Sequence, residues 1–95
     1  MATYIMLSRL SPEAFHDPKD FKKIADTVSS KIRKECPDVV WKASFATLGN
    51  LDVVDIVESN DPRQIARAAM IIRAYGHATT DTLPATPWKE FIENL

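Results

Sequence analysis

The stretch from Thr47 to Glu58, TLGNLDVVDIVE, restricts the possible folds more than any other, because a tight-turn signal stands between two runs of strand-forming residues. Gly49 can take the positive φ that a sharp reversal needs, and Gly49-Asn50 has the composition of a short hairpin turn. Upstream, Val39 to Leu48 (VVWKASFATL) alternates as a strand does, with Val39, Trp41, Ala43 and Phe45 on one face and Val40, Lys42, Ser44 and Ala46 on the other. Downstream, Leu51 to Val57 sets Val54 and Ile56 against Val53, Asp55 and Val57. A hairpin of two antiparallel strands follows. Asp52, just after the turn, is expected with Gly49 to hold it structurally.

Thr3 to Arg9 (TYIMLSR) is β-branched, aromatic and apolar, and reads as a strand whose two faces, Tyr4/Met6/Ser8 and Thr3/Ile5/Leu7, are both largely apolar. Asp17-Pro18 supplies an N-cap and a first-turn proline for a helix that Pro37 ends. Phe21, Ile24, Ala25, Val28 and Ile32 form its apolar stripe. Asp61-Pro62 starts a second helix, with Gln64 placed for a capping box and Gly76 suited to a left-handed C-terminal position. Ala78 to Pro84 (ATTDTLP) is a fourth strand, and Thr86-Pro87-Trp88 opens a short terminal helix through Leu95.

The order strand, helix, strand, strand, helix, strand is that of the α+β ferredoxin-like βαββαβ plait, a four-stranded antiparallel sheet with helices on one face. The 95 residues hold one such domain, spanning 1–95. Helices cover one face only, yet Tyr4, Met6, Val53 and Val57, with Trp41 and Phe45, offer more apolar surface than one helical layer hides. The expectation is a homodimer in which two sheets face each other as a dimeric α/β barrel. A net charge of −1, with 12 basic and 13 acidic residues interspersed, argues against nucleic acid and anionic membranes as partners. An RNA-recognition reading of the plait also fails for want of aromatics in LDVVDIV. The start MATYIMLSRL lacks the features of a leader or a spanning segment, so a cytoplasmic location is expected. Cys36 stands alone, without a disulfide partner or a cysteine cluster.

The residues Thr47-Leu48-Gly49-Asn50-Leu51-Asp52, then Val53-Val54, Ile56-Val57-Glu58 and Asp61, together with Thr80-Asp81-Thr82-Leu83 and the opening Ala2-Thr3-Tyr4-Ile5, resemble the GYD domain family over nearly the whole chain. The family's proteins are small and largely of unassigned function, and are similar in fold to the dimeric α/β-barrel superfamily that includes antibiotic-biosynthesis-type monooxygenases. The resemblance implies the dimeric plait without assigning a reaction. Leu51 occupies the position where the family's name places an aromatic residue, and Asp81 the position where the family tends to have glutamate.

Asp55 is the candidate catalytic residue, an acid in the middle of an apolar strand, where burying a carboxylate without partners is costly. If the helices take Val54 and Ile56, Asp55 looks into the space between facing sheets as a general base. Tyr4, Met6, Trp41, Phe45 and Val53 are the candidate ligand-binding residues of that space. No metal and no cofactor is expected: His16 and His77 are not spaced with Asp52, Asp55 or Asp81 as a ligand set, and no glycine-rich phosphate loop or nucleophile elbow is present. Two functions fit. In the first, a homodimer binds a small, partly apolar molecule between its sheets. In the second, the alternative, a cofactor-independent monooxygenase- or isomerase-like enzyme uses a cavity acid such as Asp55; the first is favoured, because an enzyme is expected to show a more concentrated set of polar groups.

Overall fold

With both faces of the first strand apolar, the architecture turns on which face the helices cover. A computed structural model describes residues 1–13 and 16–95. Along them run β1 (Ala2–Leu10), α1 (Asp20–Glu35), β2 (Val40–Ala46), β3 (Val53–Ser59), α2 (Pro62–Tyr75), β4 (Ala78–Ala85) and α3 (Trp88–Glu93). The strands form one antiparallel sheet in the order β2-β3-β1-β4, which with α1 and α2 over one face is the α+β ferredoxin-like plait. The smallest principal extent of the backbone is 16 Å, the depth of one sheet and one helical layer.

Register identifies the covered face. Tyr4 pairs with Val57, Met6 with Asp55 and Ser8 with Val53, so these six side chains share one side of the sheet. Met6 and Val57 are fully buried there, in a cluster with Ile32 and Cys36 of the α1 end and Ile65, Ala68, Ile71 and Ile72 of α2. The condition under which Asp55 would look between facing sheets, helices over Val54 and Ile56, is therefore not met. Those two residues pair with Leu7 and Ile5 on the opposite, uncovered side, where Phe45 and Leu83 also lie. Both faces being apolar, alternation alone does not distinguish them; the choice follows from how the helices return over the sheet.

The second correction lies in β2. Trp41 pairs with Val57 but Ala43 pairs with Ile56, so Lys42 is an extra residue that forms a β-bulge. A bulge reverses the alternation beyond it. Trp41 stays on the helix side, whereas Phe45, expected on the same face, comes out on the open side with 55% of its surface exposed. Ser44, assigned by simple alternation to the other face, is turned to the helix side opposite Asp55.

The hairpin is tied down at its base and flank. Thr47 N–H donates to Asp52 O at 2.9 Å, and Gly49 has φ +113°, in the region that disfavours a Cβ. Asp52 Oδ2 accepts from Leu10 N at 2.8 Å, while Arg9 Nε and Nη2 donate to Asn50 O and Oδ1, both at 2.9 Å. The loop is thereby fixed against the end of β1.

Helix ends follow the expected chemistry with two differences. Asp17 Oδ1 accepts from Lys19 N at 2.9 Å, but Asp17-Pro18 heads a tight lead-in turn, and the regular helix begins at Asp20. Asp61 caps α2, accepting from Arg63 N at 3.0 Å with Pro62 at the first helical position. Gln64 does not close a capping box; its side chain accepts from Asp38 N at 2.9 Å and donates to Asp38 Oδ2 at 2.8 Å, joining α2 to the turn before β2. Ser59 Oγ accepts the Asp61 N–H instead, at 3.0 Å. The hydrogen bonds from the Arg63 side chain and backbone hold the Asp61 carboxyl below its usual range. A group with a lowered folded value contributes its stabilisation above the unfolded value, roughly 3.9, and loses it as pH falls through the folded one. Asp61→Ala is accordingly expected to lower the melting temperature by a few degrees at neutral pH and hardly at all in strong acid, as read by circular dichroism.

Gly76 is not left-handed: its φ is −90°, and the positive φ at this corner, 52°, belongs to His77. What Gly76 supplies is room. A Cβ there would collide with the Ile72 carbonyl oxygen and stand 3.4 Å from Val28 Cγ2 of α1. Gly76→Ala should cost about 1–3 kcal/mol in urea denaturation, because the added Cβ has to displace the Ile72 carbonyl in the last turn of α2.

Candidate functional site

α1 does not lie flat on the strands. It packs along α2, with Lys31 Nζ 4.3 Å from the Tyr75 ring centre and Arg67 Nη1 donating to Glu35 O at 3.2 Å. Between α1 and the helix side of β1, β2 and β3 this leaves a cleft of about 500 Å³. Its α1 wall is the apolar stripe Phe21, Ile24, Ala25, Val28 and Ile32, and its floor is the sheet. A volume in the range of roughly 300–1,000 Å³, apolar walls and a few polar groups are the marks of a small-molecule pocket.

Those polar groups come from the floor. The Asp55 side chain, at 6% exposure, accepts at Oδ1 from Ser44 Oγ at 2.5 Å and from Trp41 Nε1 at 3.1 Å, and Trp41 Nε1 also lies 2.8 Å from Ser44 Oγ. The bulge makes this network possible, since without it Ser44 would face away from Asp55. Both donors converge on one carboxylate oxygen. Next to them, Ser8 is 2% exposed, lines the cleft, and its Oγ has no hydrogen-bond partner among the described residues. A buried hydroxyl without a partner is uncommon and calls for a reason. Cys36 also borders the cleft; burial pushes its thiol up, opposed by Arg67, so it is a poor nucleophile.

The candidate residues thus separate by position. Trp41, Val53 and Asp55 line this cleft, while Tyr4 and Met6 lie under the helices beside it and Phe45 is on the open face. By register the first five share the helix side of the sheet, the side that holds the cleft, and not the open side. Gly49 and Asp52 belong to the hairpin and lie outside the cleft lining. Asp81 is exposed on the open face opposite Leu7. Among the described residues, no three His, Cys, Asp or Glu side chains are grouped as metal ligands. Ser8 and Ser44 were missed as site residues. Ser8 already shared the alternation of Tyr4 and Met6 and its hydroxyl was the available signal, whereas no residue type announces the bulge that sets the exposed Ser44 opposite Asp55.

The fold and this site define a small ferredoxin-like α+β protein with an apolar cleft between its first helix and its sheet. The chain belongs to the GYD domain family, whose model matches residues 4–95. It is also similar to the glutamine synthetase and cystathionine beta-lyase binding protein of Thermus thermophilus, at 30% identity over 95 residues, covering 100% of this chain and 99% of the relative.

Proposed function

We propose that this GYD protein is a homodimeric binding protein of the cytoplasm that takes up a small, partly apolar molecule and attaches to an enzyme of metabolism. The observation that carries the reading is the two-sided use of the sheet. One side holds the cleft with its buried polar groups, and the other presents Ile5, Leu7, Val54, Ile56, Phe45 and Leu83 without a covering layer in the subunit. An apolar face of this kind on a small protein is best covered by a second copy. The tail supports the same conclusion: α3 carries Trp88 and Phe91 with ring centres 5.7 Å apart, and Trp88 and Leu95 are 74% and 84% exposed. The relative's name supports an enzyme as the protein partner. No helix among the described residues is long and apolar enough to cross a membrane.

Sedimentation at micromolar concentration tests the dimer. The expected result is a dimer for the native chain and a folded monomer for Ile56→Asp, which sets a charge in the middle of the open face; a native monomer removes the facing-sheet arrangement. Co-sedimentation with glutamine synthetase and with cystathionine beta-lyase tests the partner, and failure to associate with either overturns that element of the reading. A second reading, catalysis with Asp55 as general base, is favoured by one feature: Ser44 and Trp41 occupy Oδ1 and leave Oδ2 for a substrate proton.

A further inference from the structure

The cleft's polar groups do more than mark a pocket; they select what enters it. We propose that the space beneath α1 is a binding site for a small apolar amine, whose nitrogen is held between Asp55 Oδ2 and Ser8 Oγ while its hydrocarbon part lies along α1. The proposal rests on the reading of the protein as a small-molecule binder and specifies the chemistry of the ligand.

Charge is the first argument. Asp55 is nine-tenths buried, its two donors, Ser44 and Trp41, are neutral, and no Lys, Arg or His side chain of the described residues forms an ion pair with it. A buried carboxylate gains most from a partner of opposite charge. An ammonium group supplies that partner; a hydroxyl supplies only a hydrogen bond, and a carboxylate only repulsion.

Geometry is the second. Asp55 pairs with Met6 and Ser8 with Val53, so Asp55 and Ser8 are diagonal neighbours on one face of adjacent strands. Diagonal neighbours are about 7 Å apart. A single nitrogen making two hydrogen bonds of about 2.9 Å closes such a span once each side chain has reached toward it. It would also give Ser8 Oγ, without a partner among the described residues, the donor it lacks. A primary ammonium has three N–H groups, enough for both oxygens.

Shape is the third. A lone water would satisfy Ser8 but occupies only about 30 Å³, against a cleft of about 500 Å³. The remaining volume is bounded by Ile24, Ala25, Val28 and Ile32 of α1 and Val39 and Ile72 opposite, which suit a hydrocarbon chain or ring. Arg33, exposed on α1, also borders the cleft; its Nη2 donates to Ser30 Oγ at 3.5 Å and it forms no ion pair with Asp55.

Three probes of matched length, hexylamine, 1-hexanol and hexanoate, test the proposal with the full chain. Trp41 is the reporter, because its indole N–H is part of the Asp55 network; Trp88→Phe leaves it the chain's sole indole. In ¹⁵N-labelled Trp88→Phe protein, hexylamine is expected to shift the Trp41 indole resonance saturably, with hexanol weaker and hexanoate inert. Asp55→Asn, which keeps the shape, is expected to weaken hexylamine by about tenfold or more, the equivalent of one charged hydrogen bond, and to leave hexanol nearly unchanged. If hexanol or hexanoate binds as tightly as hexylamine, the amine assignment falls and the small-molecule reading stands. If no probe shifts the Trp41 indole, both fall. The comparison of the three probes needs no Asp55 variant, so it decides even where Asp55→Asn fails to fold.

Discussion

Met6→Ala is expected to destabilise the protein by about 2–5 kcal/mol, the range for truncating a fully buried large apolar side chain. Met6 is 0% exposed, lies on central strand β1 between Asp55 of β3 and Thr82 of β4, and belongs to the cluster of Val57, Ile65 and Ala68. The lost contacts leave a cavity that neighbours on two strands and α2 cannot readily fill, since a packed sheet collapses little. Small domains have about 5–15 kcal/mol in total, so the variant is expected to sit near its folding threshold. The denaturant midpoint should fall with little change in slope. Ile5→Ala, one residue away on the open face, is the matching control. Its cost should be smaller in the monomer and should grow with protein concentration as the dimer forms. Equal, concentration-independent losses at Met6 and Ile5 would contradict the face assignment.

That pair of residues also shows what the sequence could reveal. The elements were legible: Gly49-Asn50 and two Asp-Pro pairs are local signals, each set by backbone chemistry within a few residues. Their order was enough for the plait, because few topologies connect such pieces. The faces were not legible. Tyr4 and Met6 are no more apolar than Ile5 and Leu7, and which set meets the helices is decided by tertiary packing. The bulge at Lys42 compounds this, since one inserted residue sends Phe45 to the open side and Ser44 to the helix side without altering the strand's composition. Gly76 carries a related lesson: glycine at a helix end suggested a left-handed residue, but its role is close approach, and the positive φ moved to His77. Asp55 stood out from the start as an acid in an apolar strand, but its partners, Ser44 and Trp41, depend on register.

The partners make the second large effect measurable. Ser44→Ala removes a donor from a buried carboxylate and is expected to cost about 1.5–3 kcal/mol, the range for a hydrogen bond to a charged group. Asp55→Leu removes the acceptor and adds hydrocarbon that the cleft has room to take, leaving Ser44 Oγ to Trp41 Nε1, from which it already lies 2.8 Å. With Asp55→Leu alone no buried charge remains and the Trp41 indole N–H keeps Ser44 Oγ as its acceptor, and replacing a buried charge by hydrocarbon is often neutral or stabilising. Asp55→Leu is therefore expected within about 1 kcal/mol of the native chain, whereas the double variant, which leaves the Trp41 indole N–H with neither acceptor, is expected to be about 1–3 kcal/mol less stable than Asp55→Leu. Urea denaturation of the four proteins gives the cycle. An Asp55→Leu variant destabilised by as much as Ser44→Ala would make Asp55 a structural acid required by the fold. An Asp55→Leu variant that keeps native stability would separate stability from use: the fold would tolerate the loss of a carboxylate that stands in an apolar cleft beside a Ser8 hydroxyl without a partner among the described residues.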